Sequence, residues 1–192
     1  ALAASRKQLD NISFLFFASM TAIGGGTVRD LILGVPVFWV ANPDYLLVCA
    51  VTAGVVYFTA HLFESRYKLL LWLDAIGLAA YCVFGAWKGL DVTGSPVVAI
   101  VMGVLTATFG GILRDMLAGE PSVLMRPEIY ITCALVGAGL YTGLHAGAGL
   151  PVMISAVPAA ILAFLIRGGA MKFGWSFPPY KARPGRRPED IP

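Results

Sequence analysis

Long apolar segments without a formal charge alternate with short charged segments along this chain of 192 residues. Four segments contain no Asp, Glu, Lys or Arg: residues 11–28, 45–63, 92–113 and 129–166. A transmembrane helix needs about 20 mostly apolar residues, so the first three segments fit one helix each and the last fits two. A further apolar segment carries a single charge, Asp74. The pattern predicts six membrane-spanning helices, at about residues 12–33, 43–62, 69–88, 94–118, 128–145 and 150–167.

The composition supports a protein that resides in lipid. Hydrophobic residues make up 58% of the chain and charged residues 13%, whereas soluble domains carry about 25% charged residues. The three cysteines, Cys49, Cys82 and Cys133, lie inside predicted spans without the spacing of a disulfide framework or a metal site. Motifs of phosphate-binding loops, serine hydrolases and zinc peptidases do not occur in the sequence. We therefore expect an all-α integral membrane protein that is not an enzyme and holds no structural metal.

The chain contains an internal repeat. The segment Gly25–Asp30 (GGTVRD) recurs as Gly110–Asp115 (GGILRD), 85 residues later. With one gap, the same comparison pairs several unlike residue types: Pro43 with Pro127, Cys49 with Cys133, Tyr57 with Tyr141, and His61 with His145. Upstream, residues 7–10 align with residues 88–91 at a slightly shorter spacing. Such an ordered series is not expected by chance between apolar helices, and it indicates a duplication.

The repeat divides the chain into a first three-helix unit (1–66), a second three-helix unit (67–149), a last helix (150–170) and a basic, proline-rich tail (171–192). In the second unit a whole predicted helix precedes residues 88–91, whereas only a few residues precede the equivalent segment in the first unit. We therefore expect the first helix to be mostly absent from this chain and the complete fold to have seven transmembrane helices. The composition of the tail predicts disorder.

Two three-helix units in one membrane have opposite orientations, because an odd number of crossings changes the side. Basic residues in the loops of membrane proteins concentrate on the cytoplasmic side. When the C-terminus is placed in the cytoplasm, the outer loops hold only Lys88. The inner segments then hold eleven basic residues: Arg6, Lys7, Arg66, Lys68, Arg126, Arg167, Lys172, Lys181, Arg183, Arg186 and Arg187. The charges predict inverted repeats and a cytoplasmic C-terminus, with a tail that suits anionic lipid headgroups better than nucleic acid.

Glycines lie in the middle of two equivalent spans, as Gly24, Gly25 and Gly26 in the first unit and as Gly110 and Gly111 in the second. Each costs a helix about 1 kcal/mol relative to alanine. One interpretation is close packing against a neighbouring helix. The other is a break or kink that frees backbone groups, because paired glycine-interrupted helices in inverted repeats mark permeation sites. The two interpretations are compatible.

An arginine and an aspartate follow the glycines in both units, as Arg29–Asp30 and Arg114–Asp115. An ionised residue inside a span costs at least about 2.5 kcal/mol, so these groups are expected to face protein or water. Adjacent helical residues point about 100° apart, which favours pairing across the repeats, Arg29 with Asp115 and Arg114 with Asp30. Alternatively, both pairs only lie near the membrane surfaces. Asp74 is either functional or reaches toward the inner surface.

These motifs resemble the TRIC family of trimeric intracellular cation channels in its prokaryotic branch, whose bacterial members are also described as a glycine-transporter domain. The resemblance rests on GGGTVRDLILG at 24–34, GGILRDMLAGEP at 110–121 and LDAIGLAAY at 73–81. It implies a homotrimer in the prokaryotic cell membrane, with one potassium-permeable pore in each subunit. It also implies that the glycine-kinked second and fifth of seven helices line this pore. No cofactor is implied besides permeant K⁺ or Na⁺, and bound lipid is a further candidate ligand.

The resemblance makes the glycine segments and the Arg-Asp pairs candidate site residues. We expect the aspartates to offset the charge of Arg29 and Arg114, because an isolated arginine repels cations. Candidate ion ligands are backbone oxygens freed at the glycines and the nearby hydroxyl groups of Ser19, Thr21, Thr27, Thr106 and Thr108. Such ligands predict low discrimination between K⁺ and Na⁺. A secondary carrier of a small solute such as glycine and a non-transporting scaffold are the alternative functions that the sequence leaves open.

Overall fold

The computed structural model describes residues 1–62, 66–122 and 129–178. In these ranges the chain forms α-helices joined by short loops. Their bounds are α1 Leu2–Arg6, α2 Asn11–Leu33, α3 Phe38–Ala41, α4 Asp44–Thr59, α5 Arg66–Thr93, α6 Pro96–Leu117, α7 Ile131–Thr142 and α8 Val152–Phe173. A 3-10 turn, Ala60–Leu62, extends α4, and a π-helical turn, Gly143–Gly147, extends α7.

Six of these helices correspond to the six predicted spans. The helices α2, α5, α6 and α8, and α4 with its 3-10 turn, are long and apolar enough to cross a membrane, whereas α7 with its π-helical turn is a shorter apolar helix. Large apolar side chains such as Ile12, Phe58 and Val97 are exposed on their outer faces. Helices that satisfy their own backbone groups and expose apolar side chains are the structures that tolerate lipid. The chain is an all-α, multi-pass membrane protein.

Two helices extend further than the apolar pattern predicts. The helix α5 ends at Thr93 and α8 ends at Phe173. Each is followed by a glycine in the left-handed conformation, Gly94 with φ 65° and Gly174 with φ 70°. The reason is that a charged residue ends an apolar segment without ending a helix, whereas a left-handed glycine does end it. The prediction of a disordered tail falls mainly on residues 179–192, which lie outside the described residues.

The helices α2 and α6 begin at equivalent positions of the repeat. The Asp10 carboxylate accepts a hydrogen bond from the first turn of α2, at 2.7 Å. The Ser95 hydroxyl does the same for α6, at 3.5 Å. Asp10 and Ser95 are 85 residues apart, which is the same spacing that separates the two glycine segments. The alignment of residues 7–10 with residues 88–91 is therefore wrong, because the first segment is the loop before α2 whereas the second lies inside α5.

The core is built around α5, which contacts α6, α7 and α8 and also reaches α1 and α2. Small side chains dominate it: Ala79, Cys82, Ala86, Cys133, Ala134, Ala138, Ala159 and Ala163. Small residues let helices approach closely, which drives helix association in membranes. All three cysteines are free and buried, as the sequence predicts. The helix α2 packs on α4 and α6, so the contact of α2 with α6 is a principal connection between the two units.

Candidate functional site

The helices α2 and α6 cross at the glycines of the two units. A Cβ atom on Gly25 would collide with the backbone carbonyl of Thr106, and a Cβ atom on Gly110 would collide with the backbone carbonyl of Thr21. Each threonine lies one helical turn before the glycine of its own unit. The contacts are therefore reciprocal, and the helices run antiparallel around a pseudo-two-fold axis. Only glycine permits this approach of backbone to backbone.

The other glycines of these segments also serve packing. Gly24 faces Leu113 of α6, and Gly26 faces the ring of Phe38. Both α2 and α6 continue as helices through their glycines. The close-packing interpretation is therefore confirmed. A complete break is not present, because both helices stay helical through their glycines, whereas the role of a glycine kink in lining a pore stays a prediction.

Arg29 lies near the end of α2 and is fully buried, with 1% of its surface exposed. Its Nε donates to Oδ1 of Asp30 at 2.8 Å, and its Nη2 lies 2.7 Å from the same oxygen. Two aromatic rings complete the surroundings, because the guanidinium carbon lies 5.0 Å from the ring centre of Phe84 and 5.9 Å from that of Phe38. One carboxylate and two ring faces therefore compensate this charge.

The short helix α3 is anchored to this end of α2. The backbone N–H of Phe38 donates to Oδ2 of Asp30 at 2.9 Å. The indole N–H of Trp39 donates to the Thr27 hydroxyl, also at 2.9 Å. Asp30 thus holds Arg29 with one oxygen and the α3 backbone with the other.

Arg114 occupies the equivalent position in α6 but has a different set of partners. Its Nη1 donates to Oδ1 of Asp74 at 2.6 Å, and its Nε donates to Oδ1 of Asp115 at 2.9 Å. Asp74 belongs to α5 and its side chain is only 8% exposed. Asp74 therefore forms a buried ion pair with Arg114.

The expected pairing across the repeats is wrong. Arg29 and Arg114 each lie about six residues past the centre of the crossing, which is roughly 9 Å along each helix. Because α2 and α6 are antiparallel, the two arginines lie on opposite sides of that centre. Each side chain instead folds back to the carboxylate that follows it in sequence. Both arginines are buried within the protein, 1% and 5% exposed, so protein groups and not water compensate their charge.

A cavity of about 800 Å³ lies beside the crossing, between α1, α2, α4, α5 and α6. Eight of the predicted site residues line it: Thr21, Gly26, Arg29, Asp74, Thr106, Gly110, Gly111 and Arg114. Seven other predicted site residues, all of them described, are not part of its wall: Ser19, Gly24, Gly25, Thr27, Asp30, Thr108 and Asp115. The structure thus brings both arginines and one aspartate to a single, otherwise mainly apolar cavity.

The four predicted threonines bond to their own helices. Their hydroxyls donate to the carbonyl one turn earlier, at 2.7 Å for Thr21, 2.7 Å for Thr27, 2.6 Å for Thr106 and 2.9 Å for Thr108. A hydroxyl used as a donor keeps lone pairs that can accept. Of the four, Thr21 and Thr106 line the cavity, so these two symmetry-related hydroxyls are placed to contact a solute there.

Comparison with known proteins assigns the family. The solved structure of the TRIC trimeric intracellular cation channel orthologue from Rhodobacter sphaeroides is 48% identical to this chain. It matches with a TM-score of 0.87 over 91% of this chain and 90% of that chain. The family model described as glycine transporter matches residues 1–61 and 71–146, which correspond to the two repeat units. The chain belongs to the TRIC channel family.

Membrane proteins of two other bacteria match most of the chain. A UPF0126 membrane protein from Vibrio cholerae is 37% identical over 93% of this chain and 75% of the relative. The UPF0126 inner membrane protein YadS from Escherichia coli K12 is 33% identical over 93% of this chain and 87% of the relative. The resemblance inferred from the glycine and Arg-Asp motifs is therefore confirmed.

Two buried residues close to this region, Tyr130 and Arg167, were not among the predicted site residues. Both are buried, and the Arg167 guanidinium lies 5.1 Å from the ring centre of Tyr130. Arg167 was predicted as the last residue of its span, whereas α8 continues past it to Phe173. The apolar residues that follow it in sequence, Ala170, Met171 and Phe173, are the signal that could have placed it inside the helix.

Proposed function

We propose that this protein is a passive channel for monovalent cations, permeable to potassium, with one conduction pathway in each chain at the crossing of α2 and α6. The observation that carries the proposal is the cavity beside this crossing, in which each buried arginine is neutralised by carboxylates. The cation-channel description of the Rhodobacter sphaeroides relative supports it.

Electrostatics decides whether a cation can occupy such a cavity. An uncompensated arginine about 6 Å from a potassium ion would cost roughly 3 kcal/mol at an effective dielectric constant near 20. Here two arginines are balanced by three aspartates, namely Asp30, Asp74 and Asp115. Within this network the Arg29–Asp30 pair is neutral, and the separate Arg114–Asp74–Asp115 cluster carries one net negative charge when its three groups are ionised. A cation is therefore attracted to the network and an anion is repelled.

The cavity favours weak selectivity among monovalent cations. Strong discrimination is typically achieved with rings of backbone carbonyls, whereas α2 and α6 keep their helical structure through the crossing. Side-chain oxygen ligands are available instead, among them the hydroxyls of Thr21 and Thr106 and the carboxylate of Asp74. We expect potassium and sodium to permeate with similar ease.

A secondary carrier of a small solute such as glycine is the second candidate. The observation in its favour is the glycine-transporter description of the matching family model, together with inverted repeats, which carriers also use. A carrier requires an alternation between two conformations, whereas a channel conducts continuously while it is open.

The assembly and orientation are part of the same proposal. We propose a homotrimer in the bacterial inner membrane with the C-terminus in the cytoplasm. The trimeric description of the Rhodobacter sphaeroides relative and the inner-membrane description of the Escherichia coli relative support the assembly and the location. The distribution of basic residues supports the orientation.

Reconstitution into liposomes and planar bilayers tests the function. We expect potassium efflux down its gradient and unitary current steps, because a passive pathway needs no alternation. Saturable glycine uptake without current steps would support the carrier instead. A protein that is folded and inactive in both assays would indicate a scaffold.

Asp74 provides the matched variant for this assay. Asp74→Asn removes the excess negative charge of the network and should lower potassium conductance roughly tenfold, which corresponds to about 1.4 kcal/mol. Asp44→Asn changes an exposed carboxylate in the first turn of α4 and should leave conductance unchanged. If both variants conduct like the wild type, the charged network does not contribute to the conduction pathway.

A further inference from the structure

Three polar groups converge above Gly111, on the face of α6 that meets α5 and the start of α7. The position that a Cβ atom of Gly111 would occupy lies 2.8 Å from the Tyr130 hydroxyl oxygen and 3.3 Å from Oδ1 of Asp74. The same position lies 3.7 Å from Nη2 of Arg114. The absence of a side chain at residue 111 therefore admits the Tyr130 hydroxyl to the Asp74–Arg114 ion pair.

Two of the atoms beside this ion pair have bonding capacity left. The Tyr130 hydroxyl and Oδ2 of Asp74 are both buried, and neither makes a hydrogen bond of full geometry within the described ranges, although the two side chains are close enough to interact as donor and acceptor. Buried polar atoms of this kind are uncommon and need an explanation. A phenol donates one hydrogen bond, and a carboxylate accepts at both oxygens. The two groups are chemically complementary at this position.

Contacts from α8 hold Tyr130 in place from the other side. Arg167 is fully buried and its Nη1 donates to the backbone carbonyl of Ile129 at 3.0 Å. The guanidinium also covers the Tyr130 ring. Tyr130 is therefore fixed from both sides. Its ring lies against Arg167, and its hydroxyl lies toward the Asp74–Arg114 ion pair.

We propose that Tyr130 is a positioning residue for permeation. Its hydroxyl donates to the Asp74 carboxylate and holds it in the orientation that pairs with Arg114 and faces the cavity. This inference rests on the proposed channel function. It goes beyond the pairing of charges, because it assigns the position of the critical carboxylate to a residue that does not line the cavity.

A double-mutant cycle in planar bilayers tests the inference. Tyr130→Phe keeps the ring and its contact with Arg167 and removes only the hydroxyl. It should lower the unitary potassium conductance about threefold in the wild-type background and leave it unchanged in the Asp74→Asn background. A purely structural role of Tyr130 would change conductance by the same factor in both backgrounds.

Tyr141 in α7, the helix that begins directly after Tyr130, supplies the control. It is fully buried and its hydroxyl likewise has no hydrogen-bond partner in the described part of the chain. Its ring stacks on His145 near the other end of α7, at 5.6 Å between ring centres. Tyr141→Phe should conduct like the wild type.

The outcomes separate this inference from the channel function. If the wild type conducts and Tyr130→Phe matches it, or falls equally in both backgrounds, the positioning role is overturned while the channel function stands. If the wild type conducts no cations, both are overturned. If Tyr130→Phe lowers conductance when Asp74 is present and has no effect in the Asp74→Asn background, the positioning role of Tyr130 is supported.

Discussion

Arg29 and Arg114 occupy equivalent positions of the repeat and yet are stabilised differently. Among the residues that the structure describes, Arg29 has one carboxylate partner, Asp30, and two aromatic ring faces. Arg114 has two carboxylate partners, Asp74 and Asp115. A buried charge that loses its only partner is costly, whereas one that keeps a second partner is partly compensated. The two halves of the site should therefore respond unequally to equivalent substitutions.

We expect Asp30→Asn to destabilise the protein more than Asp115→Asn. The first change leaves the Arg29 guanidinium without a carboxylate and should cost about 3–5 kcal/mol. After the second change Arg114 keeps Asp74, so we expect a smaller loss. The free energy of unfolding in detergent micelles measures both, and equal losses would contradict the difference in surroundings.

The crossing of α2 and α6 is a contact between backbones. Gly25 and Gly110 each face a carbonyl oxygen of the other helix, and a backbone atom cannot move aside as a flexible side chain can. Other glycines in the membrane-spanning helices have open space around the position of a Cβ atom, among them Gly54 in α4 and Gly139 in α7. The chain thus offers glycines of equal intrinsic helix propensity in opposite packing environments.

We expect Gly25→Ala and Gly110→Ala to separate the helices. Each should cost about 1–3 kcal/mol of stability through overpacking and should reduce cation flux in liposomes. Gly54→Ala and Gly139→Ala are the matched controls, and each should be neutral or stabilise its helix by up to about 1 kcal/mol. Thermal unfolding in micelles and liposome flux measure the effects. Similar results at all four positions would show that the crossing does not need glycine.

The whole molecule has its two units in opposite orientations, so the position of its loops relative to the membrane is a property that can be measured. Asp91 lies exposed near the end of α5, and Lys172 lies exposed near the end of α8. Inverted topology with a cytoplasmic C-terminus places these two residues on opposite sides of the membrane. The native cysteines are buried, so new thiols can be labelled against a low background.

We expect a membrane-impermeant maleimide to label Asp91→Cys in intact spheroplasts. Lys172→Cys should react only after the membrane is made permeable, because the basic loops remain inside. The unsubstituted protein is the control for reaction of the buried cysteines. Labelling of Lys172→Cys alone in intact spheroplasts would show that the orientation is the reverse.

The sequence alone was sufficient for the spans, the duplication and the family. Spans follow from the length of uncharged segments, because lipid excludes unpaired charges over a thickness that the chain must cross. The repeat follows from the order of unlike residues around Gly25–Asp30 and Gly110–Asp115. Neither inference depends on which residues meet in space.

Only the tertiary structure decided the partners of the charged groups. The sequence favoured pairing across the repeats, whereas the antiparallel crossing places Arg29 and Arg114 on opposite sides of its centre. The positions of Tyr130 and Arg167 beside these charged groups could not be predicted from the sequence either, because they arise from contacts between α6, α8 and the start of α7. The physical reason is that lipid and protein interior are both apolar, so the apolar pattern of a membrane helix does not reveal which face meets a neighbour. Those contacts depend on how closely α2 and α6 approach at Gly25 and Gly110 and on how far the charged side chains extend. Both are properties of the folded molecule.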